Sequence, residues 1–322
     1  MSTEEQRELN EVLRGGMAFK FMPPGPPSVC NQTGCLEFGM VNQWTSSDKS
    51  KFYPAATTYH KLEPGVYEIK YHQTRGHYFE KLIVKTEGLL RFPNSNSDKV
   101  IREIQTFWES EESFKKFGLT YRRGLILWGP AGSGKSSTIQ LVISDVIKRD
   151  GIIFKFNIPP YMFIEAIRIF REIEKTTKIV VLMEDIDSLL EMHGESEVLN
   201  ILDGVEKIEN IIFLATTNYP EKLGDRIINR PSRFDKRFKM PHPNSETRRM
   251  YFAHLAKQHE KNINIKKWVA DTENMSMAHL KEVFISVYVF GEKYENAIEV
   301  LKTMIETHPN SKEDEDNIGF LR

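Results

Sequence analysis

One stretch of the sequence has residue types and spacing that suit phosphate binding: Gly129-Pro-Ala-Gly-Ser-Gly-Lys-Ser136, which matches the pattern G-x-x-x-x-G-K-[ST]. The glycines let backbone N–H groups curl around phosphate oxygens, and a helix that begins at the loop adds the positive end of its dipole. Lys135 would reach the β- and γ-phosphates of a nucleotide, and the Ser136 hydroxyl would hold Mg²⁺. The predicted phosphate-binding residues are Gly129, Pro130, Ala131, Gly132, Ser133, Gly134, Lys135, Ser136 and Ser137.

A second chemical signal is a set of acids at the end of an apolar run, Ile179-Val-Val-Leu-Met-Glu-Asp-Ile-Asp187. A buried parallel strand that ends in acids delivers carboxylates to the carboxyl edge of its sheet, beside a phosphate loop. Two adjacent acids can divide the work of hydrolysis. One orients the metal and its waters, while the other aligns the attacking water or accepts its proton. Glu184 and Asp185 are therefore candidate catalytic and metal-binding residues.

The elements that must position these residues lie between residues 125 and 242. Short strands alternate there with helical segments, which is typical of a parallel α/β sheet. Each strand is largely apolar on both faces, as a strand covered by helices must be. The predicted strands are Leu125–Trp128, Ile152–Asn157, Ile179–Met183 and Ile211–Thr216. The phosphate loop thus follows a strand and precedes a helical stretch, which is the context that the motif requires.

The flanking sequence divides by composition and periodicity. Val66-Tyr-Glu-Ile-Lys-Tyr71 alternates like a strand, with Tyr67, Ile69 and Tyr71 on one face, and predicts a small β module. Later residues have helical spacing, both before and after the α/β region. The predicted organisation is a loosely ordered segment (1–35), a small β module (36–95), a linker helix (96–124), a nucleotide-binding domain (125–242), a helical lid domain (243–308) and an acidic tail (309–322).

The overall composition excludes several other classes of protein. The 322 residues are 40% hydrophobic and 28% charged, a globular balance rather than a disordered one. The net charge of −1 predicts no global attraction to nucleic acid or anionic membranes. The longest apolar runs are far shorter than the ~20 residues of a membrane span, and the acidic N-terminus does not resemble a secretory signal. With two cysteines, the sequence predicts a cytoplasmic protein without a disulfide framework.

From about Gly118 to Val287, the chain resembles an AAA+ ATPase of the AAA clade in its narrow sense. Besides the two motifs above, three ordered segments carry the resemblance: Val198-Leu-Asn-Ile-Leu-Asp-Gly-Val205, Phe213-Leu-Ala-Thr-Thr-Asn218 and Ile228-Asn-Arg-Pro-Ser-Arg-Phe-Asp235. The second of these ends at the family's sensor-1 position. The third is similar to the segment that holds the family's arginine fingers.

The resemblance implies an α/β fold with a P-loop AAA+ core, a parallel sheet and a C-terminal helical lid, together with ATP and Mg²⁺ as cofactors. Asn218 would orient the attacking water together with the carboxylates. Arg230 and Arg233 would reach the γ-phosphate bound by a neighbouring subunit, as donors for the charge of the transition state. Hydrolysis would then take place at the subunit interfaces of a homo-oligomeric ring, for which a hexamer is expected.

Two features depart from the family's usual pattern. The acids come in the order Glu184 then Asp185, whereas the usual order is Asp then Glu. This reversal resembles the Bcs-type AAA subfamily and related phage and bacterial AAA proteins. It implies a variant active site in which Ser136 and Glu184 hold Mg²⁺, and Asp185 serves as the base or as a further metal ligand. Ala278 stands where other AAA+ proteins carry a sensor-2 arginine.

The substrate-handling side is less clearly marked. Tyr161, Met162 and Phe163 follow the second predicted strand, where AAA unfoldases carry an aromatic pore loop. The same three residues are at least as well explained as packing residues at the start of a helix. The sequence leaves both interpretations open.

The leading functional hypothesis is an ATP-hydrolysing ring motor that remodels or translocates protein clients, as a chaperone does. One alternative is a DNA-associated motor or loader, against which stand the near-neutral charge and the lack of a nucleic-acid motif. Another is a nucleotide-gated assembly scaffold with slow turnover, which the reversed acid order would permit. The sequence identifies no client.

Overall fold

The structure is a computed structural model. It describes residues 43–46, 49–55, 59–73, 76–84, 90–92, 95–204, 208–228 and 233–306. The predicted segment 1–35 and the acidic tail 309–322 lie outside the described residues, and so does Arg230.

A single sheet of nine strands organises the described residues, in the order β1-β2-β4-β3-β6-β7-β8-β5-β9. The strands are β1 (Gln43–Thr45), β2 (Lys51–Ala55), β3 (Gly65–His72), β4 (Gly76–Leu82), β5 (Arg122–Trp128), β6 (Ile152–Lys155), β7 (Ile179–Met183), β8 (Ile211–Thr217) and β9 (Lys236–Lys239). Every pairing from β3 to β9 along this order is parallel, while the pairings among β1, β2, β4 and β3 are antiparallel. The parallel core predicted from the alternation of strands and helices is confirmed.

The structure adds a strand, β9, that the sequence analysis did not predict. Its residues, Lys-Arg-Phe-Lys, are mostly charged and exposed, so they lack the apolar run by which the other four core strands were found. Because β9 pairs only with β5 among the described strands, it forms an edge of the sheet, where charged side chains are tolerated.

The strands predicted as an N-terminal β module are continuous with this core sheet. Residues Gly65–Glu68 of β3 pair in parallel with Ile152–Lys155 of β6. The aromatic side chains of the hairpin explain the junction, because the ring centroids of Tyr67 and Phe79 lie 6.4 and 5.4 Å from that of Phe154 on β6. The sequence pattern found the alternation but not its partner, since partners 87 residues apart, such as Gly65 and Ile152, leave no local signal.

Helices cover both faces of the sheet and follow it in the chain. They are α1 (Asn96–Glu109), α2 (Glu111–Lys116), α3 (Lys135–Lys148), α4 (Pro160–Ile173), α5 (Ile186–His193), α6 (Glu195–Gly204), α7 (Asp225–Ile228), α8 (Ser245–Gln258), α9 (Ile265–Asp271), α10 (Met277–Tyr288) and α11 (Tyr294–Glu306). Helices α1 and α3 pack on one face, and α4, α5 and α6 pack on the other. Helices α8 to α11 form a separate apolar core. Among the described residues, no helix is long and apolar enough to cross a bilayer.

Helix α1 carries the apolar stripe that the sequence predicts for the linker. Val100, Ile101, Ile104, Phe107 and Trp108 are all buried. The Ser95 side chain caps the helix by accepting the N–H of Asp98. Phe117, at the end of α2, is exposed.

Helix α10 begins with a capping box formed by Ser276 and His279. The Ser276 Oγ accepts the N–H of His279, and the Nδ1 of His279 accepts the N–H of Ser276 in return. This cap also contacts the phosphate loop, because the N–H of Met277 donates to the Gly132 carbonyl at 3.2 Å. A Cβ on Gly132 would lie 2.7 Å from the Ser276 Oγ, so a residue without a side chain is needed at this contact.

Gly124 allows a very close approach of two backbone segments in the α/β core. A Cβ at this position of β5 would lie 1.6 Å from the carbonyl oxygen of Arg233. The contact is fixed by two hydrogen bonds: the Gly124 N–H donates to the Asp235 Oδ2, and the Asp235 N–H donates to the Gly124 carbonyl, each at 2.8 Å. The turn that leads into β9 is thereby held against the start of β5.

We expect Gly124→Ala to lower the free energy of unfolding by about 3 kcal/mol, because the new methyl group must displace backbone atoms. Urea unfolding followed by circular dichroism measures the loss. The matched control is Gly224→Ala, since a Cβ at Gly224 meets nothing within 4 Å, and we expect it to stay within about 0.5 kcal/mol of wild type. Equal stability of the two variants would contradict the close approach at Gly124.

Candidate functional site

The phosphate loop lies between β5 and α3 and holds a buried lysine. Lys135 is only 8% exposed, and its Nζ donates to the carbonyl oxygens of Gly129 and Pro130 at 2.7 and 2.9 Å. Burial lowers the pKa of its ammonium group, and the negative charge of Asp185 opposes that shift. The described contacts thus include no carboxylate bonded to this ammonium, which is the arrangement expected of a cation that binds an anionic ligand.

The serines of the loop differ in their surroundings. The Ser133 Oγ is buried without a hydrogen-bond partner, which is costly for a hydroxyl unless a ligand completes the site. Ser136 and Ser137 are exposed in the first turn of α3. Thr138 ties the start of α3 to the loop, because its Oγ1 donates to the Gly134 carbonyl at 2.9 Å and lies 2.6 Å from the Ser97 Oγ of α1.

The structure brings Glu184 and Asp185 to the same cleft, but their side chains have different neighbours. The Oε2 of Glu184 lies 3.4 Å from the Nζ of Lys155, at the end of the adjacent strand β6. Asp185 is the acid whose charge acts on Lys135. Strand order explains the difference, because β6 and β5 lie on opposite sides of β7. Glu184 nevertheless lines the same cleft as the phosphate loop.

The end of β8 fixes the backbone around these acids. The Asp185 N–H donates to the Thr216 Oγ1 at 3.0 Å, where Asp185 adopts a left-handed conformation with φ of 49° at the start of α5. The Thr217 Oγ1 donates to the Oδ1 of buried Asp187 at 2.6 Å. Asn218, the predicted sensor-1 residue, follows directly and lines the cleft. The predicted pair of acids and the predicted asparagine therefore share one site.

The cleft has a volume of about 850 Å³ and is closed on one side by the helical lid. Its lining contains Ala131 to Ser137 of the phosphate loop, both acids, Asn218 and residues of three further segments. Those further residues include Ser95, Asn96, Ser97 and Lys99 of the start of α1, then His242, Asn244, Thr247 and Tyr251 before and within α8, and Met277, Ala278 and Lys281 of α10. A nucleotide-sized ligand fits such a volume.

Several of these lining residues were not found by sequence reasoning. The S-x-x-D spacing of Ser95 and Asp98 is a helix-start signal that could have placed the α1 terminus. Lys281 of α10 also lies on the cleft. Nothing in the local sequence marks His242. Its Nδ1 is buried without a partner, and burial together with His279 and Lys135 lowers its pKa.

Arg233, one of the two predicted arginine fingers, does not line the cleft of its own chain. Arg233 is 5% exposed, and its Nη1 donates to the carbonyl oxygen of Arg226. Arg230 lies outside the described residues. The described geometry therefore gives Arg233 no direct role at the nucleotide bound by the same chain.

The three pore candidates separate at the start of α4. Phe163 is 1% exposed and stacks edge-on against Phe156 at a centroid distance of 5.1 Å, so it is a packing residue and not a pore residue. Tyr161 is 64% exposed, and Met162 is half-buried. Helical periodicity explains the split, because consecutive residues of a helix face different directions.

The residues present fit an ATP molecule with Mg²⁺. A buried cation, an unpartnered buried hydroxyl and loop N–H groups suit a phosphate chain. An exposed serine hydroxyl and two carboxylates suit a hard divalent cation, which prefers oxygen ligands.

Comparison with known proteins agrees with this geometry. Residues 125–242 match the model of the family described as "ATPase family associated with various cellular activities (AAA)". The chain is 29% identical to the probable mitochondrial chaperone bcs1 of Schizosaccharomyces pombe, over 59% of this chain and 44% of that protein. It is 27% identical to the proteasome-activating nucleotidase of Saccharolobus solfataricus, over 64% of this chain and 60% of that protein.

A third relative is the ATP-dependent zinc metalloprotease FtsH of Marinobacter nauticus, which is 27% identical over 46% of this chain and 26% of that protein. The chain thus spans less than two thirds of the length of each of these relatives. The matched region coincides with the parallel core, the phosphate loop and the paired acids. Over residues 125–242, the chain is therefore similar to the AAA family of ATPases.

Proposed function

We propose that this protein hydrolyses Mg·ATP in the cleft beneath the lid and uses the hydrolysis to remodel or translocate protein clients as a homo-oligomeric ring, with a hexamer expected. One observation carries the proposal: the buried Lys135 ammonium is held on loop carbonyls, with Asp185 as the acid that acts on it. The relatives are a chaperone, a proteasome-activating nucleotidase and an ATP-dependent protease, and these names support a protein client.

In this mechanism, the phosphate loop binds and orients the substrate. Lys135 would exchange its bonds to the loop carbonyls for bonds to the β- and γ-phosphates, and Ser136 and Glu184 would hold the metal ion. When bound, Mg²⁺ neutralises charge on the phosphate oxygens. Asp185 and Asn218 align the attacking water and Asp185 accepts its proton.

Completion of the site requires a second subunit. Since Arg233 does not line the cleft of its own chain, we propose that the segment from Ile228 to Asp235 supplies its arginines to the nucleotide of a neighbouring chain. Contact between the lid cap and Gly132 couples the lid to the phosphate loop, so the position of the lid would follow the state of the nucleotide. Movement of the lid would then transmit the free energy of ATP hydrolysis to a protein client as mechanical work.

One contact favours a second candidate, a nucleotide-gated assembly scaffold with slow turnover. The 3.4 Å pair of Glu184 with Lys155 draws the proposed metal-side carboxylate away from the phosphate loop. Both side chains are well exposed, and exposed ion pairs are worth about 0–1 kcal/mol. Such a pair can be broken by a bound metal, so we retain the motor as the leading function.

We expect Lys135→Ala to weaken Mg·ATP binding by about 100-fold, because charge-assisted bonds to two phosphates are lost. Titration calorimetry measures the affinity. Lys148→Ala, at the far and exposed end of the same helix, is the matched control and should bind like wild type. Equal affinities of the two variants would refute the assignment of the phosphate loop.

We expect Asp185→Asn to keep Mg·ATP binding and to lower kcat by about 100-fold or more, since an amide cannot accept the proton of the attacking water. Glu184→Gln should instead raise the Mg²⁺ concentration needed for half-maximal turnover. Glu191→Gln, at the exposed end of α5, serves as the control. If Glu184→Gln abolished turnover while Asp185→Asn did not, the two carboxylates would have exchanged roles.

A further inference from the structure

The segment between β9 and α8, residues 240–244, connects the α/β core to the helical lid. On the core side, the Met240 N–H donates to the Trp128 carbonyl at 2.7 Å, at the end of the strand that leads into the phosphate loop. On the lid side, the Arg248 Nη1 of α8 donates to the Pro243 carbonyl at 2.8 Å. Both ends of this core–lid connection are therefore fixed, one on the core and one on the lid.

The core–lid connection also contacts the phosphate loop itself. A Cβ on Gly129, the first residue of the loop, would lie 2.1 Å from the Met240 carbonyl oxygen. His242 follows between Pro241 and Pro243, and a residue that precedes proline is restricted to extended backbone. The backbone therefore holds His242 at a set position beside the loop, and His242 lines the cleft.

The imidazole of His242 has an unmet hydrogen-bonding requirement. Its Nδ1 is buried, and no group among the described residues forms a hydrogen bond with it. Burial, the nearby His279 and the Lys135 ammonium lower the pKa of His242, so the ring is neutral at pH 7 and carries a single N–H. A buried ring nitrogen without a partner is costly unless a ligand supplies one.

The two charged or polar neighbours of His242 belong to the phosphate-binding end of the cleft. The Lys135 Nζ already donates to loop carbonyls. The His279 Nδ1 accepts the Ser276 N–H at 3.2 Å, within the cap that lies over Gly132. A ligand group that reaches this end of the cleft is a phosphate, whose oxygens accept hydrogen bonds.

We propose that His242 is a nucleotide-binding residue whose Nδ1–H donates to a phosphate oxygen, so that the core–lid connection itself helps to position the phosphate chain. Ionised phosphate oxygens only accept hydrogen bonds, so the ring must present its N–H to them and not its lone pair. The bond would satisfy the buried nitrogen only when nucleotide is bound. The inference rests on the proposed function in one respect, namely that Mg·ATP binds in this cleft.

An apolar side chain at this position should affect binding and stability differently. We expect His242→Leu to weaken Mg·ATP binding by about 10-fold or more, because a hydrogen bond to a charged group is lost. Without nucleotide, the same variant should unfold at a temperature no lower than wild type, because a buried unpartnered nitrogen is removed. Titration calorimetry and thermal unfolding measure the two effects. His254→Leu, on the exposed face of α8, is the matched control and should bind like wild type.

Two amide variants identify the ring nitrogen that is involved. The amide nitrogen of asparagine extends about as far from the backbone as Nδ1 of histidine, whereas that of glutamine extends about as far as Nε2. We expect His242→Asn to keep most of the wild-type affinity for Mg·ATP, and His242→Gln to bind as weakly as His242→Leu. Equal or reversed affinities of the two amide variants would overturn the inference. So would wild-type affinity of His242→Leu, because a water molecule would then suffice as the partner of the ring.

Inorganic triphosphate tests which part of the nucleotide contacts the ring. It has neither base nor sugar, and its affinity in the presence of Mg²⁺ is measured by displacement of a fluorescent ATP analogue. We expect His242→Leu to weaken the binding of triphosphate and of ATP by the same factor. A loss confined to ATP would place the contact at the sugar or the base and would overturn the inference.

The same measurements separate this inference from the proposed function. If the wild-type chain binds Mg·ATP without hydrolysing it, the proposed motor is contradicted, while the affinities of the His242 variants still decide the inference. If the wild-type chain hydrolyses Mg·ATP and His242→Leu binds it equally well, only the inference fails.

Discussion

The parallel strand β5 is the element on which the rest of the structure depends. Its carboxyl end runs into the phosphate loop, where Lys135 is buried on loop carbonyls. Its other end begins at the contact between Gly124 and the Arg233–Asp235 turn. One rigid strand, hydrogen-bonded on both sides to β8 and β9, therefore fixes the distance between the chain's own nucleotide site and the segment proposed to serve its neighbour.

The lid depends on the same strand through the phosphate loop. Ser276 caps α10 and fills the space over Gly132, and Met277 donates to the Gly132 carbonyl. A ligand that reshapes the loop must therefore move or strain the lid contact. At the opposite side of the sheet, β3 pairs directly with β6, so the N-terminal hairpin belongs to the same rigid layer as the nucleotide site. We therefore expect the hairpin to move together with the core and not independently of it.

The sequence predicted the parts of the site that lie within a short stretch of the chain, namely the phosphate loop and the paired acids. The loop motif and the acids at the end of β7 were predicted because each directly follows a short apolar run. A buried parallel strand followed by a glycine-rich loop or by acidic residues is recognisable within one window of sequence. The continuity of the sheet was missed because β3 and β6 are far apart in the chain. Strand β9 was missed because its residues are charged. Burial of Phe163 and Arg233 depends on tertiary contacts with Phe156 and with the Arg226 carbonyl, which no spacing reveals.

The central claim is that hydrolysis needs two chains, one that binds Mg·ATP and one that supplies a cation. It is tested most directly by measuring Mg·ATP turnover per subunit across a wide range of protein concentration, with sizing of the same samples. The account predicts that turnover per subunit rises steeply with concentration and saturates as assemblies form. Constant and substantial turnover per subunit in samples that sizing shows to contain single chains would contradict it.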